Sequence, residues 1–170
     1  SLKNSAITIA GLIYVGLPFS LLNFIVFKEI SGSNNFYPWI LVGVLFIIWI
    51  HDSMAYVTGS LLGKHKIAAT ISPNKSWEGL IGGTVFAVIV GILNAALFQE
   101  ISMFNWIIIA LISVVFGTIG DFFQSKLKRE IGIKDSGNIL PGHGGLLDRF
   151  DSLLFAIPVI YVWLNLIDKF

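Results

Sequence analysis

The sequence predicts an all-α fold: a polytopic integral membrane helical domain of about five transmembrane helices. Three observations predict it. Hydrophobic residues make up 55% of the 170 and charged residues 12%, with a mean hydropathy of +0.83, whereas a soluble domain of this size carries about 25% charged residues. The charges are gathered in a few places, so that five uncharged stretches remain. Trp39, Trp49, Trp77, Trp106 and Trp163 fall near the ends of the predicted spans, as interfacial aromatics do. The same figures exclude a soluble globular enzyme and a disordered tail. A formal net charge of +1 offers no basic field for nucleic acid. The absence of cysteine removes disulfide scaffolds and thiolate metal or redox sites.

The first stretch, Asn4 to Phe27, is 24 residues long. It is too long for a signal peptide and no small-residue cleavage site follows it. The chain opens on Ser1 rather than Met, so the expectation is a fragment lacking upstream helices. Ile30 to His51, Gly79 to Gln99 and Ile101 to Gly120 follow, at 22, 21 and 20 residues. A hydrocarbon core about 30 Å thick needs about 20 apolar residues of helix, with a lower limit near 17, so these four qualify directly. Ser152 to Ile167 has 16 residues and qualifies if the helix begins at Phe150 or in the turn around Asp151. Only helices suit these stretches, because backbone facing lipid must be hydrogen-bonded within its own segment. The whole of residues 1–170 reads as one membrane-embedded domain.

Fifteen of the 21 charges lie in two segments, five from Asp52 to Glu78 and ten from Asp121 to Asp151. The first follows the second span and the other follows the fourth, so both emerge on one side. With Lys3, that side holds nine of the eleven Lys and Arg residues, and the positive-inside rule makes it cytoplasmic.

The later segment carries the chemistry. Asp121 closes a long uncharged span, and a carboxylate at that depth is a functional candidate by default. Asp148 and Asp151 are three apart, which on a helix puts them on one face. They read either as caps of the fifth helix or, with Asp121, as oxygen donors for a hard cation such as Mg²⁺. Between the carboxylates lie Lys126, Lys128, Arg129 and Lys134, then the turn Pro141-Gly142-His143-Gly144-Gly145. Glycines let the backbone turn N–H groups toward an anion, and Lys and Arg give charge-assisted bonds to phosphate. Such parts suit phosphoryl or nucleotidyl transfer, without any Walker-type GxxxxGK[ST] loop. In the earlier segment Ser72-Pro73-Asn74-Lys75-Ser76-Trp77-Glu78-Gly79 offers donors and a turn fixed by Ser72-Pro73. Gly79, Gly82 and Gly83 read as helix-packing positions. His51 and His65 read as interfacial or surface residues without chemistry, and His143 as the functional histidine.

The run Ser125-Lys126-Leu127-Lys128-Arg129, Lys134-Asp135, Leu140-Pro141-Gly142-His143-Gly144-Gly145 and Asp148-Arg149-Phe150-Asp151 resembles the signature of the phosphatidate cytidylyltransferase (CDP-diacylglycerol synthase) family. In the earlier segment Asp52-Ser53-Met54-Ala55-Tyr56, Gly63-Lys64-His65-Lys66 and Ser72 to Gly79 are similar to three more family elements in order. Ser53 and Ser76 stand where Thr is frequent, and Met54 where a smaller residue is usual. The resemblance covers about residues 47–166.

The resemblance implies transfer of CMP from CTP to phosphatidate, giving CDP-diacylglycerol and pyrophosphate in phospholipid biosynthesis. It implies Asp121 and Asp148 as Mg²⁺ ligands, with Asp151 on the ion or one contact behind it, and room for a second cation. Lys126 is expected in catalysis. Lys128, Arg129, Lys134 and Arg149 are expected to hold the phosphates of CTP or lipid, and Asp52, Ser72, Lys75, Ser76, His143 and Gly144 to complete the substrate pocket. CTP, phosphatidate and membrane lipid are the expected partners, with no nucleic acid and with room for a homodimer. The expected location is the plasma membrane of a bacterium, with the site facing the cytoplasm. The alternative within lipid enzymology is a CTP-dependent polyprenol or phytol kinase, which releases CDP instead of pyrophosphate. A transporter would spread polar groups through several spans, whereas here the spans are bare.

Overall fold

Five helices carry most of the described chain, and each boundary has a local cause. The computed structural model describes residues 2–27, 29–30, 33–34, 36–68, 71–133, 136–137, 145 and 147–167. The helices are α1 (Leu2–Val26), α2 (Pro38–Leu62), α3 (Trp77–Leu97), α4 (Met103–Glu130) and α5 (Asp151–Ile167). Pro38 opens α2 at a position where no N–H is required. Ser76 and Ser102 cap α3 and α4, their hydroxyls accepting from the N–H groups of Gly79 and Asn105. Lys128 and Arg129 sit in the last turn of α4, where cations meet the negative end of the helix dipole. Among the described residues, four helices are long and apolar enough to cross a membrane. Helix α5, at 17 residues, stands at the lower limit for a span.

Two features depart from expectation. Helices α2 and α4 do not stop where the charge begins but run on to Leu62 and Glu130. Asp52 and Asp121 therefore project from helix walls rather than from loops. The chain is also not purely helical. Antiparallel hairpins pair β1 (Glu29–Ile30) with β2 (Ser33–Asn34), and β3 (Lys66–Ala68) with β4 (Ser72–Ser76). Ser72-Pro73 thus begins a strand instead of fixing a turn.

Helices α2 and α3 pack extensively, as do α4 and α5. Lipid tails are as apolar as leucine, so close fit and buried polar contacts must hold such helices together. The sequence supplies both. A Cβ at Gly79 would come within 2.6 Å of the Ala55 carbonyl oxygen, and one at Gly83 within 2.8 Å of that of His51. The packing role of these glycines is therefore observed. Asn94 donates its buried amide to the Gly43 carbonyl at 3.1 Å. Trp106, expected at an interface, is wholly buried and belongs to one core cluster with Val44, Ile47, Ile109 and Ile157.

Candidate active site

Helix α5 enters beside α4 because α4 presents glycine there. A Cβ at Gly120 would lie 2.6 Å from the Asp151 carbonyl oxygen, and one at Gly117 would lie 3.3 Å from Ser152 Cβ. This approach brings Asp151, the first residue of α5, alongside Asp121. From the other segment, β4 delivers Lys75. Its ammonium forms an ion pair with Asp121 Oδ2 and lies 4.6 Å from the centroid of the Phe122 ring. Ser125 donates to the other oxygen of Asp121 at 3.2 Å.

These residues line a cavity of about 370 Å³, within the range of about 300–1,000 Å³ that small-molecule sites occupy. Asp52 of α2, Ser72, Lys75 and Ser76 of β4, Asp121 of α4, Asp148 and Asp151 all contribute to its wall. The two charged segments of the sequence thus meet at one place. The charges of Asp121, Asp52 and Lys75 all bear on Asp151.

Asp148 is held differently. It belongs to the 3₁₀ turn Leu147–Arg149, so it does not share a helix face with Asp151. Its Oδ1 accepts from Lys128 Nζ at 2.8 Å, and its Oδ2 from the N–H groups of Ser136 and Gly145 at 2.8 and 2.9 Å. Burial alone would raise its pKa. Lys128, the two N–H groups and the Ser136 hydroxyl outweigh burial and bring it from 3.8 down to about 2. With the Ser136 hydroxyl, which also bonds this carboxylate, its roughly four acceptor positions are in use. Neither described N–H belongs to the start of α5, so Asp148 braces a loop rather than capping that helix. Asp151 does bond the following N–H, that of Ser152, at 2.7 Å.

Other expected residues lie elsewhere. Lys126, expected in catalysis, is exposed and points to Glu130 at 4.0 Å, outside the cavity wall. Arg129 is exposed and donates to the Ile133 carbonyl at 3.5 Å, which ties down the end of α4. Arg149 is exposed and is not part of the wall. Among the described residues, Lys128 reaches the site through Asp148. Ser76 is buried, its oxygen accepting from the Gly79 N–H at 3.2 Å. Lys134, His143 and Gly144 lie outside the described residues. Glu78 explains the Gly63-Lys64-His65-Lys66 turn: its carboxylate accepts from the N–H groups of Lys64 and His65 and meets the His65 ring at 2.6 Å. Sequence reasoning missed His51, Asn74 and Thr118, which line the cavity. The pair Gly117 and Gly120, three apart beside Asp121, was the legible signal for where α5 would dock.

Among the described residues, no three of the His, Asp and Glu side chains converge into a group that would hold a metal ion unaided. The expected cage of Asp121, Asp148 and Asp151 is thus not preformed, although all three face one cavity.

A model of the cytidylyltransferase family matches residues 1–167. The chain belongs to that family. It is 40% identical over 166 residues to the phosphatidate cytidylyltransferase of Staphylococcus aureus strain COL. The identity is 38% to that of Staphylococcus saprophyticus and 37% to that of Staphylococcus epidermidis, over the same length. Each alignment takes in 96% of this chain, which spans about 60% of the length of these curated relatives.

Proposed function

We propose that the protein transfers CMP from CTP to phosphatidate, yielding CDP-diacylglycerol and pyrophosphate, with its site at the cytoplasmic face of a bacterial plasma membrane. One observation carries this reading: Lys75 of the earlier segment and Asp121 of the later one pair in the wall of a single cavity. Family membership and the names of the relatives support it. So does the charge count, which puts nine of eleven Lys and Arg residues on the side bearing the site.

A phosphatidate phosphate oxygen attacks the α-phosphorus of CTP. The bond from that phosphorus to the bridging oxygen breaks, and pyrophosphate leaves with the bond electrons. The nucleophile is already anionic, so the residues need remove no proton. Their task is to bring polyanions together. Lys75 offers its ammonium to phosphate oxygens from β4, and Asp52 and Ser72 complete the nucleotide-facing wall.

The donor set suits Mg²⁺, which is usually held by one or two carboxylates together with substrate phosphates rather than in an all-protein cage. Asp121 and Asp151 would hold it, and Asp148 would join them by giving up one of its present donors. When bound it supplies charge neutralisation at the phosphates. Lys128 keeps Asp148 at the cavity wall throughout.

The experiment is to supply the membrane-embedded protein with CTP and phosphatidate and to measure both products. Lipid-linked CMP with equimolar pyrophosphate is expected. Release of CDP with a phosphorylated lipid would replace this reaction by a kinase.

A further inference from the structure

His51 precedes Asp52 on α2 and lines the same cavity, yet only 6% of it is exposed. Its Nδ1 lies 3.1 Å from Asp52 Oδ1. An ionised carboxylate only accepts, so Nδ1 carries the proton in this contact. Nε2 is then left buried without a hydrogen-bond partner among the described residues, an unfavourable state for a polar atom. The ring is thus placed to serve one nitrogen at the expense of the other. Helix α3 makes room for it: a Cβ at Gly83 would come within 2.9 Å of His51 Cδ2. Packing alone would be met better by an apolar side chain.

Asp52 differs from Asp121 and Asp148. Asp121 is matched by Lys75 and Asp148 by Lys128, whereas the side-chain contact of Asp52 among the described residues is the His51 ring. A carboxylate without a lysine or arginine repels phosphate and attracts hydroxyl and amino donors. We propose that His51 is a positioning residue. Its Nδ1–H fixes the Asp52 carboxylate at the cavity wall, where Asp52 accepts hydrogen bonds from hydroxyl or amino donors of the nucleoside half of the bound nucleotide. This rests on the reading above that the cavity takes a nucleotide, and it adds an orientation, with phosphates toward Lys75 and nucleoside toward Asp52.

The test measures KM and kcat for CTP in membranes bearing the wild type, H51L, H51N and H51Q. Loss of one charge-assisted bond corresponds to about tenfold in affinity. H51L is expected to raise KM for CTP about tenfold while kcat stays within about twofold, the pattern of lost uniform binding. KM for phosphatidate should not move. The Asn amide nitrogen takes the place of Nδ1, so H51N restores KM. The Gln amide takes the place of Nε2, so H51Q does not. If H51L fails to fold, the contrast between H51N and H51Q decides. An unchanged KM in H51L, or equal behaviour of H51N and H51Q, overturns the assignment. D52N, assayed with 2′-deoxy-CTP and UTP as competitors, separates the donors: lost discrimination against the deoxy compound points to a sugar hydroxyl, and against UTP to the base amino group. Discrimination unchanged against both overturns the contact. A CDP product would refute the proposed reaction but leave the CTP comparison valid, so the two failures are distinguishable.

Discussion

The site contains two Lys–Asp pairs that look alike in sequence and differ in what they can do. Lys75 and Asp121 come from different segments, 46 residues apart, and their side chains are 30% and 26% exposed. Lys128 and Asp148 belong to one segment, 20 residues apart, and are only 15% and 12% exposed. Asp121 has one further donor, the Ser125 hydroxyl, while Asp148 has two backbone N–H groups and the Ser136 hydroxyl. The first pair opens onto the cavity and can exchange its partners for phosphate and cation. The second is nearly saturated and fastens the loop before α5. A carboxylate's duty is set by how many of its acceptor positions remain open, not by the motif that holds it.

That contrast breaks first at Asp121. Asp121→Asn keeps the volume and removes the charge, and we expect CTP incorporation into lipid to fall by at least about 100-fold, the scale of losing one electrostatic stabiliser. The pair is partly solvated, so stability should change by less than about 1 kcal/mol. Radiolabelled incorporation and thermal unfolding in the same membranes measure the two effects. Incorporation near the wild-type rate would remove Asp121 from the site.

Asp148→Asn should reverse the balance between activity and stability. It leaves the largely buried Lys128 ammonium without its counter-charge, a loss of about 3 kcal/mol, so this variant should unfold well below Asp121→Asn. Acid sharpens the point. The Asp148 carboxyl is held at about 2 against 3.8 unfolded, so the folded state binds the proton more weakly. Its stabilisation is full above about pH 4 and disappears as pH falls toward 2. Wild-type stability measured across that window should show this added loss and Asp148→Asn should not. Equal slopes would mean that Asp148 is no brace.

Four of the spans were legible because they depend on composition alone. Convergence of the segments was legible in outline, since counting membrane crossings puts both on one side. What could not be read was where helices end relative to charge. Asp52 follows one uncharged span and Asp121 closes another, which marks where those spans end but not where the helices do: α2 and α4 run on to Leu62 and Glu130. An amphipathic helix continues past a carboxylate at no cost once that side chain faces a polar cavity. Nor does spacing reveal that Asp148 and Asp151 sit on separate elements, since this depends on the turn at residues 147–149. His51 was hidden for a related reason. A histidine beside an aspartate becomes informative only when burial and its Nδ1 contact are known.

The smallest effect is the most discriminating for cations. Lys126, Lys128 and Arg129 form one basic cluster in the sequence, and all three looked fit to hold phosphate. On α4 they diverge: Lys128 turns inward to Asp148, while Lys126 meets Glu130 one turn on, both exposed. An exposed i,i+4 pair contributes about 0.3–0.5 kcal/mol, and Lys126 is not part of the cavity wall. Lys126→Ala is therefore expected to lower stability by a few tenths of a kcal/mol and to leave KM for both substrates within about twofold. Steady-state titration of CTP and of phosphatidate checks this. A severalfold rise in either KM would mean that Lys126 swings onto a bound substrate, and the inward and outward faces of α4 would then share the work assigned above to one of them.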